Sequence, residues 1–284
     1  MNRSFILPLA LLLCLSTFTH AAIVSPEWLK NTLNDERLLI IDVRNPEDFL
    51  AGHIPGSVNL EPMALFAESL LMPSISELQE LFSQLGVDHT RKVVAIGNTD
   101  FIWAARLYWM LEFFGHQQVY YLDTAWGHWN EGLLPITTEA TDPVRRDFIP
   151  AIDNQRLQTK LGTLAAIGHR PILDGRTEPH YLGLESLATR YGHIPTAQHY
   201  PWSQNREAEA GYTRLRDLDA MQEVYSGLPK DEQIILYCNG GGQSALNYIV
   251  LQALGYRVAV YDGSWSEWGN DPSLPIENPS DSAE

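Results

Sequence analysis

The sequence predicts an α/β protein of two similar domains, each a mostly parallel sheet flanked by helices. Two observations carry this. Short apolar runs alternate with stretches of helical periodicity, which is how strands buried on both faces are written between covering helices. The runs also recur in the same order, so the second half of the chain reads as a copy of the first.

Taken in order, the chain opens on Asn2-Arg3, an apolar stretch from Phe5 to Leu15 and the small residues Ala21-Ala22. The stretch is too short to span a bilayer comfortably, so residues 1–21 are expected to be a cleavable signal peptide, not an anchor. Leu13 stands before Cys14 where lipoproteins usually carry a small residue, which argues against a lipid anchor there. The mature protein is then expected to be exported, to the periplasm, with no membrane contact after cleavage.

The first domain is placed at residues 22–140. Its strands are read at Leu38–Asp42, Lys92–Ile96 and Val119–Asp123, with Arg44 and the turn Gly52-His53-Ile54-Pro55-Gly56 after the first strand. A helical stretch ends at Phe114-Gly115-His116, and Trp126 follows the third strand. The polar, proline-containing run around Thr137–Pro143 has no periodicity and marks the boundary, with a linker at 141–154. The second domain, 155–284, repeats the series: Pro171–Asp174 with Arg176, Gly192-His193-Ile194-Pro195-Thr196, Gln233–Tyr237, Leu254-Gly255-Tyr256, then Val258–Asp262 and Trp265. An insertion separates Arg176 from His193.

Composition narrows the partners. A hydrophobic fraction of 45% describes a folded chain, and 35 acids against 19 bases leave a net charge of −16. That charge argues against nucleic acid and anionic membrane surfaces as partners and requires any anion site to be local. The acidic surface reads most simply as a solvated one. No His, Cys or acid spacing suggests a metal site.

With Cys14 removed, Cys238 is the one remaining cysteine, so no intramolecular disulfide forms and either a reactive thiol or intermolecular pairing is indicated. It follows the strand Ile234-Ile235-Leu236-Tyr237 and precedes Asn239-Gly240-Gly241-Gly242-Gln243-Ser244 and a helical pattern. Glycines let successive amides turn toward one centre, and a helix N-terminus adds its dipole; both favour the thiolate, which is the nucleophile. Laid on this segment, Gly97-Asn98-Thr99-Asp100-Phe101-Ile102-Trp103-Ala104 of the first copy keeps the loop length but has no nucleophile. Phe101, Ile102 and Trp103 are expected to fill the space, leaving the first domain chemically silent.

These residues resemble the tandem rhodanese family of sulfurtransferases over essentially the whole mature chain. The stretch from Phe49 to Leu60, containing Gly52-His53-Ile54-Pro55-Gly56, is similar to the family's first-domain signature, with Ser57 where alanine is usual. The stretch from Val258 to Trp268 is similar to its carboxy-terminal signature, and Cys238 with Gly241 fits its six-residue active loop. The resemblance implies two α/β domains, an inert first and an active second, and a persulfide on Cys238. It implies substrate contacts from Asn239, Gly240, Gly241, Gly242, Gln243 and Ser244, and from Arg176. Thiosulfate-using members tend to carry basic residues in this loop and mercaptopyruvate-using members a Gly-Ser-Gly run, neither of which is present here. Single-domain relatives often place arginine where Gln243 stands; a glutamine donates hydrogen bonds but no charge. The sulfur donor therefore stays open between thiosulfate, 3-mercaptopyruvate and others.

The mechanism expected is covalent and ping-pong: Cys238 takes sulfur from a small donor anion and passes it to a thiophilic acceptor, cyanide or a thiol. The cysteine is the carrier, so no metal or organic cofactor is needed. Two readings of Arg176 stand side by side, a substrate contact or, with Asp174, a brace at the strand–loop junction; Asp42 and Arg44 in the silent half support the brace. Arg190 is a second candidate for the substrate. His53 and His193 recur in both copies, which favours structural hydrogen bonds, and Trp265 and Trp268 fit a domain core. The alternative function is a non-catalytic persulfide or oxyanion carrier, or a partner-docking protein, on the same scaffold, its protein partner unknown.

Overall fold

A computed structural model describes residues 23–68, 70–98, 101–125, 127, 132–209 and 212–282. The expected signal peptide, Thr99, Asp100 and Trp126 lie outside the described residues. No helix among the described residues is long and apolar enough to cross a membrane.

The first half contains β1 (Ile23–Val24), α1 (Pro26–Thr32), β2 (Leu38–Asp42), α2 (Pro46–Ala51), β3 (Val58–Asn59), α3 (Ile75–Gln84), β4 (Lys92–Ile96), α4 (Ile102–Phe113) and β5 (Val119–Leu122). The second contains β6 (Leu157–Gln158), α5 (Lys160–Ala166), β7 (Ile172–Asp174), α6 (Glu178–Tyr181), β8 (Gln198–His199), β9 (Arg206–Glu209), β10 (Tyr212–Leu215), α7 (Leu218–Val224), β11 (Gln233–Tyr237), α8 (Gly242–Ala253), β12 (Arg257–Tyr261) and α9 (Ser264–Trp268). The sheets run β1-β5-β4-β2-β3 and β6-β12-β11-β7-β8, the same order twice, and every neighbour pair in them is parallel.

Strand burial follows from the apolar runs. Val93–Ile96 of β4 are all buried, and they alternate between two cores: Val93 and Ala95 join one cluster, Val94 and Ile96 another. Successive side chains point to opposite faces, so a strand buried on both sides needs such a run. Helix α4 is buried along Ala104–Phe113, and α8 along Ser244–Leu251. A helix apolar all round must be covered all round. These two cover each other, and one apolar cluster runs unbroken from Leu39, Val93 and Phe113 in the first half to Leu236, Ile249 and Val260 in the second.

Residues 141–153 have no regular structure but lie along the first domain. Arg146 N–H donates to Ser83 O (2.9 Å), Ala151 N–H to Phe114 O (2.9 Å), and Phe148 is buried against Phe82 and Phe114. Helix α6 follows Arg176 as α2 follows Arg44, so the insertion lies between Tyr181 and Gly192. A second difference between the halves, not read from the sequence, is the antiparallel β9–β10 hairpin, which crosses to the first domain: Leu215 N–H donates to Asp123 O (3.0 Å) and Ala125 N–H to Thr213 O (3.2 Å). In exchange, Met72 N–H of the first domain donates to Asp262 Oδ2 of the second (2.6 Å). Each domain sends a segment over the strand-end loops of the other.

Candidate active site

Cys238 stands directly after β11, a free thiol buried to 1% exposure. The chain turns from strand to helix at Gly241, whose φ of +78° lies in the left-handed region. That turn aims the Gly241 N–H at the Cys238 Sγ, 3.1 Å away. Ser244, in the first turn of α8, donates its hydroxyl to the same sulfur at 3.5 Å. The remaining first-turn amides of α8 have no intrahelical acceptor, as at any helix start. Two donors on the sulfur suit one that carries negative charge or an added sulfur atom.

The start of α9 clamps the backbone of the same loop. Cys238 N–H donates to Ser264 Oγ (3.1 Å), and that hydroxyl is committed in turn to Tyr261 O (2.9 Å). Trp265 N–H donates to Cys238 O and Ser266 N–H to Asn239 O, both at 2.9 Å. Ser264 is held at a φ of +49°, an unusual conformation for a residue with a Cβ. The stretch from Asp262 to Ser266 thus has a physical task, to hold two loop carbonyls outward.

The first domain closes the site. Trp103 packs edge-on against Phe66 of its own domain and also lies against the start of α8; a Cβ on Gly242 would stand 2.9 Å from its ring. Phe101 does fill the first domain's core, beside Tyr121. The loop lengths also differ from expectation. Residues 97–101 separate β4 from α4 whereas 238–241 separate β11 from α8, so the loop of the first copy is one residue longer, and Phe101 (φ +62°) occupies the left-handed position taken by Gly241.

The residue missed from the sequence is Arg106 of α4. It is fully buried, its Nη1 lies 2.8 Å from Asp262 Oδ1 and 3.4 Å from Gly240 O, its Nε donates to Leu65 O (3.2 Å), and its plane covers Phe66 at 4.0 Å. The available signal was a pair of charges, Arg106 and Glu112, in an otherwise apolar helix, since buried charges need partners.

Asn239, Gly240, Gly241, Gly242, Gln243 and Ser244 form the loop around Cys238, with the Asn239 amide 3.5 Å from Gln243 Oε1. Arg176 is placed otherwise. Its guanidinium is fully buried, chelated by Asp174 (3.0 and 2.6 Å), bonded to Gly192 O (2.7 Å) and stacked on Trp265. Arg44 repeats this in the first domain on Asp42 and Gly52 O. In both halves the pair braces the strand–loop junction, and no face of the Arg176 guanidinium is exposed. Arg190 spends its donors on the carbonyls of Trp268, Gly269, Asp271 and Leu274.

His53 bonds the carbonyls of Phe49 and Glu139, and His193 the Tyr181 carbonyl and the Glu277 carboxylate, so both tie their turns to later chain segments. Trp265 and Trp268 are buried in the second domain's core. No group of three or more His, Cys, Asp or Glu side chains among the described residues is arranged to hold a metal. An open groove of about 400 Å³, lined by Leu71, Ser266, Glu267, Asn270, Asp271 and Pro272, adjoins the loop where Ser266 holds Asn239.

Comparison with known proteins matches this geometry to a family. The model of the rhodanese-like domain matches residues 25–132 and again 154–271. The thiosulfate sulfurtransferase of Pseudomonas aeruginosa is 28% identical over 267 residues, covering 90% of this chain and 96% of that one. The sulfur carrier protein TtuD of Thermus thermophilus is 30% identical over 275 residues, covering 89% and 95%. Among solved structures, the anaerobic ergothioneine biosynthesis enzyme from Chlorobium limicola, in complex with trimethyl histidine, shares the fold with a TM-score of 0.79 at 21% identity, over 90% of this chain and 70% of that one.

Proposed function

The chain belongs to the rhodanese-like domain family in both its halves, and we propose that it is an exported sulfurtransferase whose second domain works and whose first is a scaffold for it. The observation that carries this is Cys238 Sγ at the strand-to-helix turn, under the Gly241 amide and the Ser244 hydroxyl. In the proposed cycle the Cys238 thiolate attacks the outer sulfur of thiosulfate. A new S–S bond forms, the S–S bond of the donor breaks, and sulfite leaves with the electron pair. The terminal sulfur of the resulting persulfide is anionic and takes the hydrogen bonds of the loop. An acceptor, cyanide or a thiolate, then attacks that sulfur and the Cys238 thiolate is expelled, so no net redox partner is needed.

Thiosulfate is the donor favoured by the likeness to the Pseudomonas aeruginosa thiosulfate sulfurtransferase; 3-mercaptopyruvate is the alternative. Export to the periplasm is proposed from the basic start and short apolar stretch of residues 1–21. A second reading, sulfur carriage without rapid turnover, is favoured by the likeness to the sulfur carrier protein TtuD. One experiment separates these. Incubation with a panel of sulfur donors, followed by intact mass before and after an acceptor is added, is expected to show one sulfur gained and then lost. Cys238→Ser, nearly isosteric, is expected to remain folded and gain none. A folded Cys238→Ser protein that still transfers sulfur refutes the persulfide route, and a persulfide that no acceptor discharges favours the carrier.

A further inference from the structure

We infer that Arg106, from the half without a nucleophile, is a positioning residue for Cys238 that acts through a single peptide unit. The inference rests on the reading of Cys238 as the reactive thiol. The unit is the peptide between Gly240 and Gly241. A trans peptide points its C=O and N–H in opposite directions, and this chain has no cis peptide among its described residues. On one side Arg106 Nη1 lies 3.4 Å from Gly240 O; on the other the Gly241 N–H donates to Cys238 Sγ at 3.1 Å. A rotation of that plane that removes the amide from the sulfur also removes the carbonyl from the guanidinium.

The guanidinium has little freedom to follow such a rotation. Leu65 O holds its Nε, Asp262 holds Nη1, Phe66 stacks under its plane, and nothing of it is exposed. Gly241 is pressed against it: a Cβ at that position would collide with Nη1 and stand 2.8 Å from Asp262 Oδ1. Arg106 Nη2 is buried with no hydrogen-bond partner, and so is Asp262 Oδ1, whose approach to Nη1 is an ion pair without hydrogen-bond alignment. A group placed only to join the domains has a better-satisfied model six residues along the same helix. There Glu112 meets Arg156 at 2.7 Å, Tyr248 at 2.8 Å and Gln252 at 3.4 Å.

Asp262 offsets the charge of Arg106, so the effect on sulfur is directional. A cationic donor on the carbonyl polarises the peptide and strengthens the donor at its other end. The loop, which has no Lys or Arg of its own between Asn239 and Ser244, takes its cation from behind and from the other domain.

The test is alkylation of Cys238 by iodoacetamide in the full chain, read on the peptide that carries Cys238 and followed against pH. It needs no sulfur donor. In the double variant Arg106→Met, Asp262→Asn, which removes both charges together, the rate at neutral pH is expected to fall about tenfold or more, and the acid limb of the pH–rate profile to move to higher pH. Arg106→Lys, which keeps a cationic donor for Gly240 O, is expected to stay within about threefold of the native rate. If the double variant does not fold, Asp262→Asn alone serves: it leaves the guanidinium on the carbonyl and is expected to react at least as fast as the native protein. A folded double variant with the native rate and pH profile, or a slower Asp262→Asn, overturns the inference. Failure of the native protein to take up sulfur from any donor would count against the sulfurtransferase reading alone, because alkylation is measured independently of it.

Discussion

Gly241 carries three demands at once. Its φ of +78° is a conformation that side chains rarely adopt, its N–H is the backbone donor to Cys238 Sγ, and its missing Cβ is the space that Arg106 and Asp262 occupy. Alanine there meets backbone strain of about 1–3 kcal/mol before any collision is counted. Gly241→Ala is therefore expected to lower the melting temperature and to slow sulfur loading of Cys238 at least tenfold, read by intact mass against time; a variant as stable and as quickly loaded as the native protein would show the loop to be more plastic than its geometry. The cysteine and its glycines were legible in the sequence because they are neighbours along the chain. Arg106 was not, since Gly240 lies 134 positions away. The brace role of Arg176 was legible after all, in the recurrence of Asp42 and Arg44 around no nucleophile, and the structure gives both pairs the same chelate.

At the scale of elements, the repeat delivered the strands and their order, because apolar runs and turns are local signals. It misjudged the β4–α4 loop by one residue, since a gapless alignment of Gly97 on Cys238 hides an extra residue before a helix capped by Phe101 in place of glycine. The expected linker at 141–154 was legible as irregular but not as packed. Its packing makes a pH-sensitive joint. His116, just after α4, is buried beside His89 and Phe148. Its Nε2 donates to Asp88 O (2.9 Å) and its Nδ1 accepts from Gln118 N–H (3.2 Å), so the ring is neutral and a second proton would face an N–H. Burial pulls its pKa from 6.5 down to about 4. Between those values the unfolded chain takes up a proton that the folded one refuses, so stability falls as pH drops from 6.5 through 4, by roughly 3 kcal/mol in all. His116→Gln, which offers the same donor and acceptor without titrating, is expected to show a flatter decline of melting temperature between pH 7 and pH 4. Parallel curves for the two proteins would assign the acid sensitivity to other groups.

For the whole molecule, the two halves look separable in the sequence and are not separable in the structure. Each domain's inner core is completed by the other through α4 and α8, the β9–β10 hairpin and the segment at Met72 cross in opposite directions, and a cation of the first half stands behind the Cys238 loop. None of this was legible, because every contact joins residues far apart in sequence and the signal for it is only an unusually apolar helix with two charges in it. A shared core makes the domains one cooperative unit, unlike the small polar interfaces across which domains move freely. Far-ultraviolet circular dichroism and tryptophan fluorescence, to which Trp109 in the shared cluster and Trp265 and Trp268 in the second domain's own core both contribute, are therefore expected to melt together. The interface cluster of Glu112, Arg156 and Tyr248 is the place to weaken the unit. Burial pushes the Glu112 carboxyl above the usual carboxylate range, against the opposing pull of Arg156 and the Tyr248 hydroxyl, so its ionised form depends on those partners. Glu112→Ala leaves Arg156 with less of its counter-charge in a mostly buried site, a change that costs about 3–5 kcal/mol in comparable pairs. In a chain of this size that corresponds to a fall of roughly 5–10 °C in melting temperature. The fall is expected in both signals at once, with sulfur loading of Cys238 slowed at temperatures where the native protein is still whole. Two separate transitions in the native protein, or a Glu112→Ala variant in which only the first domain melts early while the second goes on loading sulfur, would mean that the second domain stands without the first.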